Sequence, residues 1–198
     1  MVAPRNPGRI PLLVKELMFG LFRNRARDAQ IARLYDQIVT QGRDPALFVE
    51  GCVPDTVEGR MDMMLLHLFL LMHRLNDEQG EIREIAQGVC DRFFAELDRA
   101  MREMGVGDLA VPKKMRKIAD IYTGCSSSYG NALHKPDDEE LTQVLLRNVY
   151  ARDEERLPQA RALAGYVRRA SRALADASLA SLASGSLPFP TPALGESA

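Results

Sequence analysis

Few side chains in this 198-residue sequence stand where chemistry would need them. His67 is the first to test. A metal ligand on a helix wants a second ligand one turn away, but positions three and four residues either side of His67 hold Met63, Met64, Leu70 and Leu71. Two readings stay open for it: a core histidine bonded to a neighbouring element, or a polar contact in a groove. Neither Glu-x-x-His nor His-Glu-x-x-His occurs, so the donor sets of a di-iron bundle and of a zincin are missing. Ser126-Ser127-Ser128 lacks the Gly-x-Ser-x-Gly elbow, and no histidine is spaced to argue a triad. Gly105-Val106-Gly107 has no third glycine and follows a helical pattern instead of a strand, so it is not a dinucleotide fingerprint. Asp137-Asp138-Glu139-Glu140 reads as charge at a helix start, not as a metal-binding acidic pair. Cys52, Cys90 and Cys125 are odd in number and far apart, which suggests neither zinc nor a disulfide framework. The expectation is a non-enzymatic protein with no metal and no cofactor, in a reducing, cytoplasmic-type compartment.

The specific residues go instead into two tight connections. One is Gly51-Cys52-Val53-Pro54-Asp55-Thr56, leading into Gly59, Arg60 and Asp62; the other is Gly105-Val106-Gly107-Asp108-Leu109, leading into Pro112. Each runs straight into a strong helix start. After Pro112 come Lys113, Lys114, Arg116 and Lys117, where cations meet the positive end of a helix dipole. Asp108 is the nearest acid able to offset them. Free N–H groups beside lysines otherwise invite an anion, such as a lipid phosphate, ribosomal RNA or an acidic partner.

The elements around these connections read as helices throughout. Ile10 to Phe22 gives a short amphipathic segment and Asp28 to Gln41 a second helix, followed by Asp44-Pro45 as N-cap and first helical position. Asp55, with Glu58 three residues on, has the form of a capping box for a helix that is apolar nearly all round from Met61 to Leu75. Asn76 or Asp77 then caps an amphipathic helix to Met104, with Gly105 as its left-handed stop. The helix after Pro112 weakens at Gly124 and Ser126 to Ser128, where bending or fraying is expected. Asp137 starts another helix, and Pro158 a last one running to about Ala183. No strand periodicity is present. The fold class is all-α: a single-domain bundle of about six or seven helices around a buried apolar central helix.

The ends differ from the body. Residues 1–27 hold Arg5, Arg9, Lys15, Arg23, Arg25 and Arg27 against Glu16 alone. A basic amphipathic lead can lie on an anionic membrane or dock on its own domain; the lack of serine and threonine counts against a transit peptide. Residues 28–183 form the helical domain, and the Gly/Ser/Pro-rich stretch 184–198 is expected to be a disordered tail. The net charge of −1 argues against a nucleic-acid binder that works by bulk charge, so no DNA partner is expected. The most apolar run, Met63 to Met72, is too short to span a bilayer.

The two connections and their surroundings resemble the ubiquinol–cytochrome c chaperone family. The matching residues are Tyr35 with Ile38, Val39 and Gln41; Pro45 and Phe48; Gly51 with Val53 to Thr56; then Gly59-Arg60, Asp62-Met63, Leu66-His67 and Arg74-Leu75. Arg102 to Leu109 and Val111 to Met115 form the second block. The resemblance covers about residues 30–135. It implies an all-helical assembly chaperone for ubiquinol–cytochrome c reductase, respiratory complex III, acting on unassembled or nascent cytochrome b. It also implies work near the membrane or the ribosome exit, and mitochondrial relatives act with a small partner protein. The implied location is cytoplasmic, peripheral at the inner face of the plasma membrane, or the matrix side in a eukaryote. Family members guide cytochrome b towards haem, but Cys-x-x-Cys-His is absent here.

Such a client needs exposed apolar area with a polar rim. The expected groove is lined by Met64, His67, Leu68, Met104, Leu109 and Met115. The methionines suit an adaptable apolar surface, although at helical spacing they also serve as core. The competing reading is a peripheral membrane or lipid-binding module built on the basic lead and Lys113 to Lys117.

Overall fold

The computed structural model describes residues 12–195, with side chains from Arg25 onward, and every regular element among them is helical. Six helices have ten or more residues: α1 (Leu12–Gly42), α3 (Val57–Leu75), α4 (Glu81–Glu103), α5 (Val111–Leu133), α6 (Glu139–Asn148) and α7 (Leu157–Asp176). Two five-residue helices, α2 (Pro45–Val49) and α8 (Leu179–Ala183), and a 3-10 turn complete the set. The all-α bundle read from periodicity is the observed fold.

Helix α3 lies against α1, α4, α5 and α7, and Met63, Leu65, Leu66, Leu68, Phe69, Leu70 and Leu71 are all buried. Its start is fixed by Thr56, which is extended and accepts the Gly59 N–H at 3.1 Å. Asp55, the expected cap, sits one residue too early and pairs with Arg60 at 2.6 Å instead. The loop folds back so tightly that a Cβ at Gly59 would lie 2.0 Å from the Pro54 carbonyl oxygen, and only glycine fits there. The buried carbonyl of Gly51 accepts the Tyr150 hydroxyl at 2.6 Å. Asp44 caps α2 as expected, accepting Ala46 N–H at 2.9 Å.

Several boundaries differ from the sequence reading. The two predicted N-terminal helices are one continuous α1. Residues 1–11 of the predicted lead lie outside the described residues, and Arg27 pairs with Glu84 of α4. Asn76 does not cap α4, because its own backbone is still helical (φ −56, ψ −42) and a cap needs an extended one. Gly80 takes that place at φ +72. Gly105 does end α4, at φ +83, with its N–H on Arg102 O and the Val106 N–H on Met101 O, a Schellman closure. Helix α5 runs unbroken through Gly124 and the serines. There Tyr122, Cys125 and Tyr129 pack on the core, while Thr123 and Ser128 satisfy their hydroxyls on carbonyls one turn back. Tertiary packing outweighs the poor propensity. Helix α7 stops at Asp176, and Ser178 opens α8 by accepting the Ser181 N–H at 3.1 Å.

The C-terminal stretch departs furthest from expectation. Residues 185–195 form no regular element, yet they lie as an ordered strap across α1 and the α2–α3 connection. Gln37 holds the strap twice, donating to Gly185 O and accepting the Leu187 N–H at 2.8 Å. Gln41 donates to Pro190 O at 3.0 Å, and Glu50 accepts the Gly195 N–H at 3.0 Å. Leu187 and Leu194 are buried, and Phe189 meets the His67 ring edge-on at a centroid distance of 5.2 Å. Low complexity argued for disorder, but three long polar side chains satisfy this backbone without a helix or strand. Phe189→Ala should lower stability by about 2 kcal/mol, less than the roughly 3–5 kcal/mol of a fully buried aromatic because Phe189 is only partly buried. Urea unfolding followed by circular dichroism measures this; an unchanged midpoint would mean the strap contributes nothing.

Candidate functional site

The expected groove divides in two when its residues are placed in space. His67 is fully buried, with Nδ1 2.7 Å from Met63 O and Nε2 2.7 Å from the Tyr166 hydroxyl. Nδ1 faces a carbonyl and must donate, so Nε2 accepts from Tyr166, whose oxygen in turn accepts the Gln41 amide at 3.0 Å. Burial holds the imidazole neutral by pushing its pKa down to about 4. Leu68 is also fully buried. Met64 is half-buried under α1, where a Cβ on Gly42 would come 2.9 Å from the Met64 Cα. The expectation that His67 and Leu68 line an open groove is therefore corrected. They bind α3 to α1, α7 and the strap, because an all-round apolar helix is covered wherever neighbours can reach it.

Met104 and Leu109 are not buried with His67 and Leu68 but are 60% and 90% exposed. They sit at the α4–α5 connection, with Met115 half-buried just beyond. Gly107 closes the turn, accepting the Ala110 and Val111 N–H groups. Asp108 does not offset the lysines. It pairs with Arg102, which also holds Asp98. Lys113, Lys114, Arg116 and Lys117 are exposed, and no carboxylate stands within ion-pair distance of them among the described residues.

An apolar-walled concavity lies between α3, α5 and α6. It is a cleft of about 280 Å³ walled by Leu65, Leu66, Phe69, Ile121, Tyr122 and Tyr129. Phe69 and Tyr129 meet at a centroid distance of 5.5 Å and form its aromatic side. Ile121 stands at the lip, 39% exposed. The remaining members are polar: Asp62, Cys125, Ser126, Arg147 and Asn148. Burial, helped by the nearby Glu58, raises the Asp62 carboxyl to a pKa of about 6. Burial likewise keeps the Tyr122 and Tyr129 hydroxyls and the Cys125 thiol protonated, so Cys125 is a poor nucleophile. The Ser126 and Asn148 side chains turn to the Tyr122 and Tyr129 hydroxyls and offset part of the rise in those two groups. Among the described residues no group of three or more His, Cys, Asp or Glu side chains is placed to hold a metal. The cleft combines oily walls with a few polar groups, the lining of a binding pocket.

Sequence reasoning placed Asp62 among the residues that shape a loop and overlooked Ile121, Tyr122 and Asn148. The signal for Asp62 was an acid one turn inside an otherwise apolar helix. Asn148 carries no such mark, because only folding brings α6 to this face.

Residues 50–189 match the family model described as ubiquinol-cytochrome C chaperone. The fold superposes on the crystal structure of the Cbp3 homolog from Brucella abortus with a TM-score of 0.81 and 34% sequence identity, over 90% of this chain and 99% of that one. No curated protein sequence matches the chain at a significant level.

The Asp62 environment carries a stability consequence. Its folded pKa of about 6 lies above the usual 3.8, so the neutral acid is favoured in the fold. Its effect is absent below about pH 4, and stability is lost as pH rises through 6. Asp62→Asn should raise the unfolding free energy by about 2 kcal/mol at pH 7.5 and leave it unchanged near pH 4. Thermal melts at both pH values measure this; a variant less stable at pH 7.5 would refute the unpaired, desolvated carboxylate.

Proposed function

The chain belongs to the ubiquinol-cytochrome C chaperone family, and from that premise we propose that it is a non-enzymatic assembly chaperone of complex III which shelters unassembled cytochrome b in the α3–α5–α6 cleft. The observation that carries this reading is a coincidence of spans. The family match over 50–189 includes all three helices of the cleft and both glycine-rich connections that set their angles. An unassembled membrane subunit presents apolar surface that water penalises at roughly 25 cal/mol per Å². A cleft of this size covers only part of such a surface. That suits a chaperone, which must release its client to the assembling complex.

The exposed Leu109 and Met104 extend the apolar area along the same helical hairpin. The cations from Lys113 to Lys117 then face an anionic neighbour: the lipid surface into which cytochrome b inserts, the ribosome exit region or a small partner protein. No helix among the described residues is long and apolar enough to cross a membrane. We place the protein at the cytoplasmic face of the membrane where its client emerges, or on the matrix side in a eukaryote. A second reading, a peripheral membrane module, draws on the same exposed Leu109 beside unpaired cations. It would be favoured by flotation with anionic vesicles in cells whose cytochrome b assembles normally without the protein.

A photo-crosslinking residue at Ile121 should label newly made cytochrome b, whereas one at Arg83 on the outer face of α4 should not. Loss of the gene should lower assembled cytochrome b several-fold with its message intact. Labelling from position 83 and none from 121 would reject the cleft.

A further inference from the structure

The Asp62 carboxylate has no ion pair and no hydrogen bond among the described residues, although its neighbours are matched. Arg60 is taken by Asp55. Arg147, across the cleft on α6, donates to Asn148 Oδ1 at 3.0 Å and to Ser128 Oγ at 3.2 Å. That contact uses the Asn148 Oδ1, while the Asn148 and Ser126 side chains turn to the Tyr129 and Tyr122 hydroxyls. With Arg147 held by Asn148 and Ser128, Asp62 is left without a cation. The walls of the cleft ask for apolar bulk between them. A fatty acid or other anion would set its charge against Asp62. An apolar peptide segment with one basic side chain supplies both the cation and the bulk.

We infer that Asp62 is the specificity determinant of the cleft, selecting from apolar client segments those that bring one lysine or arginine between α3, α5 and α6. This rests on the reading of the cleft as the client site and names the chemistry of the segment it takes.

The groups facing Asp62 are Glu58 on α3, Tyr122, Cys125 and Tyr129 on α5, and Arg147 on α6. The tyrosines and the thiol stay neutral through the range where Asp62 ionises. Docking a cation requires the carboxylate. With a free-state pKa of about 6, binding should weaken about tenfold between pH 7.5 and pH 5.

The test is the affinity of detergent-solubilised cytochrome b for the full chain and for Asp62→Asn, at pH 7.5, 6 and 5. The wild type should bind about tenfold tighter than the variant at pH 7.5 and within about twofold of it at pH 5. Taking this ratio removes any titration of the client itself. The Asn variant should melt no lower than wild type at pH 7.5, which separates lost recognition from lost fold. A ratio near one at every pH, or one that does not change with pH, overturns the inference. If Ile121 crosslinking persists in that case, the cleft still holds the client and only its charge selectivity is wrong; if crosslinking is absent, the client site itself is wrong. Phosphatidylethanolamine vesicles are the remaining arm. Client-free binding to them with the same Asp62 and pH dependence would overturn the peptide in favour of a lipid headgroup.

Discussion

The burial of α3 governs the rest of the molecule. A helix apolar on nearly every side can be taken out of water only if its ends and its single imidazole are satisfied by other elements. Thr56 meets the first turn, the Met63 carbonyl and the Tyr166 hydroxyl meet His67, and Arg74 at the last turn donates to Leu174 O on α7 at 3.0 Å. Each of these requirements fixes a neighbour. Tyr166 must stand on α7, Gln41 on α1 must meet Tyr166, and the strap must close over both. On the side facing α5 and α6 the packing is less complete, and the cleft lies there over side chains that are themselves buried.

Much of this was legible in the sequence because it is local. Helical periodicity, the Asp44-Pro45 start, the Gly105 stop and the two glycine-rich connections each depend on residues within a turn or two of one another. The illegible part is long-range. His67 looked like a groove residue because nothing near it in sequence explains a buried imidazole, and its partner Tyr166 is ninety-nine residues away. Residues 184–195 looked disordered because their own composition cannot form a helix or strand. Their order comes from Gln37, Gln41 and Glu50, which are ordinary surface glutamines and a glutamate when read alone. Asp62 was grouped with the residues that shape the first connection, because it follows Gly59 and Arg60 directly. Its seat in a cleft depends on α6 arriving from the far end of the domain.

Charges meet two fates around α5. On α4, Arg99 and Arg102 each hold nearby carboxylates, and Arg168 on α7 clasps Asp138 and backbone carbonyls between α5 and α6. Paired in this way, these groups cost the fold little. The four cations opening α5 and the carboxylate of Asp62 on α3 have no such partner among the described residues. A like charge at a helix start costs roughly 0.3–1 kcal/mol per residue, and a desolvated acid costs more.

Asp62 and His67 are one and a half turns apart on α3 and shift in opposite senses. The carboxyl moves up from 3.8 to about 6, so it stabilises the fold progressively as pH falls through 6 towards 4. The imidazole moves down from 6.5 to about 4, so the stability present above pH 6.5 is lost over that same descent. The two slopes oppose one another between pH 6.5 and 4. Ionisation of Asp62 costs the fold over the same rise in pH in which the neutral His67 ring gains its advantage, so the two burial penalties on this one helix run against each other.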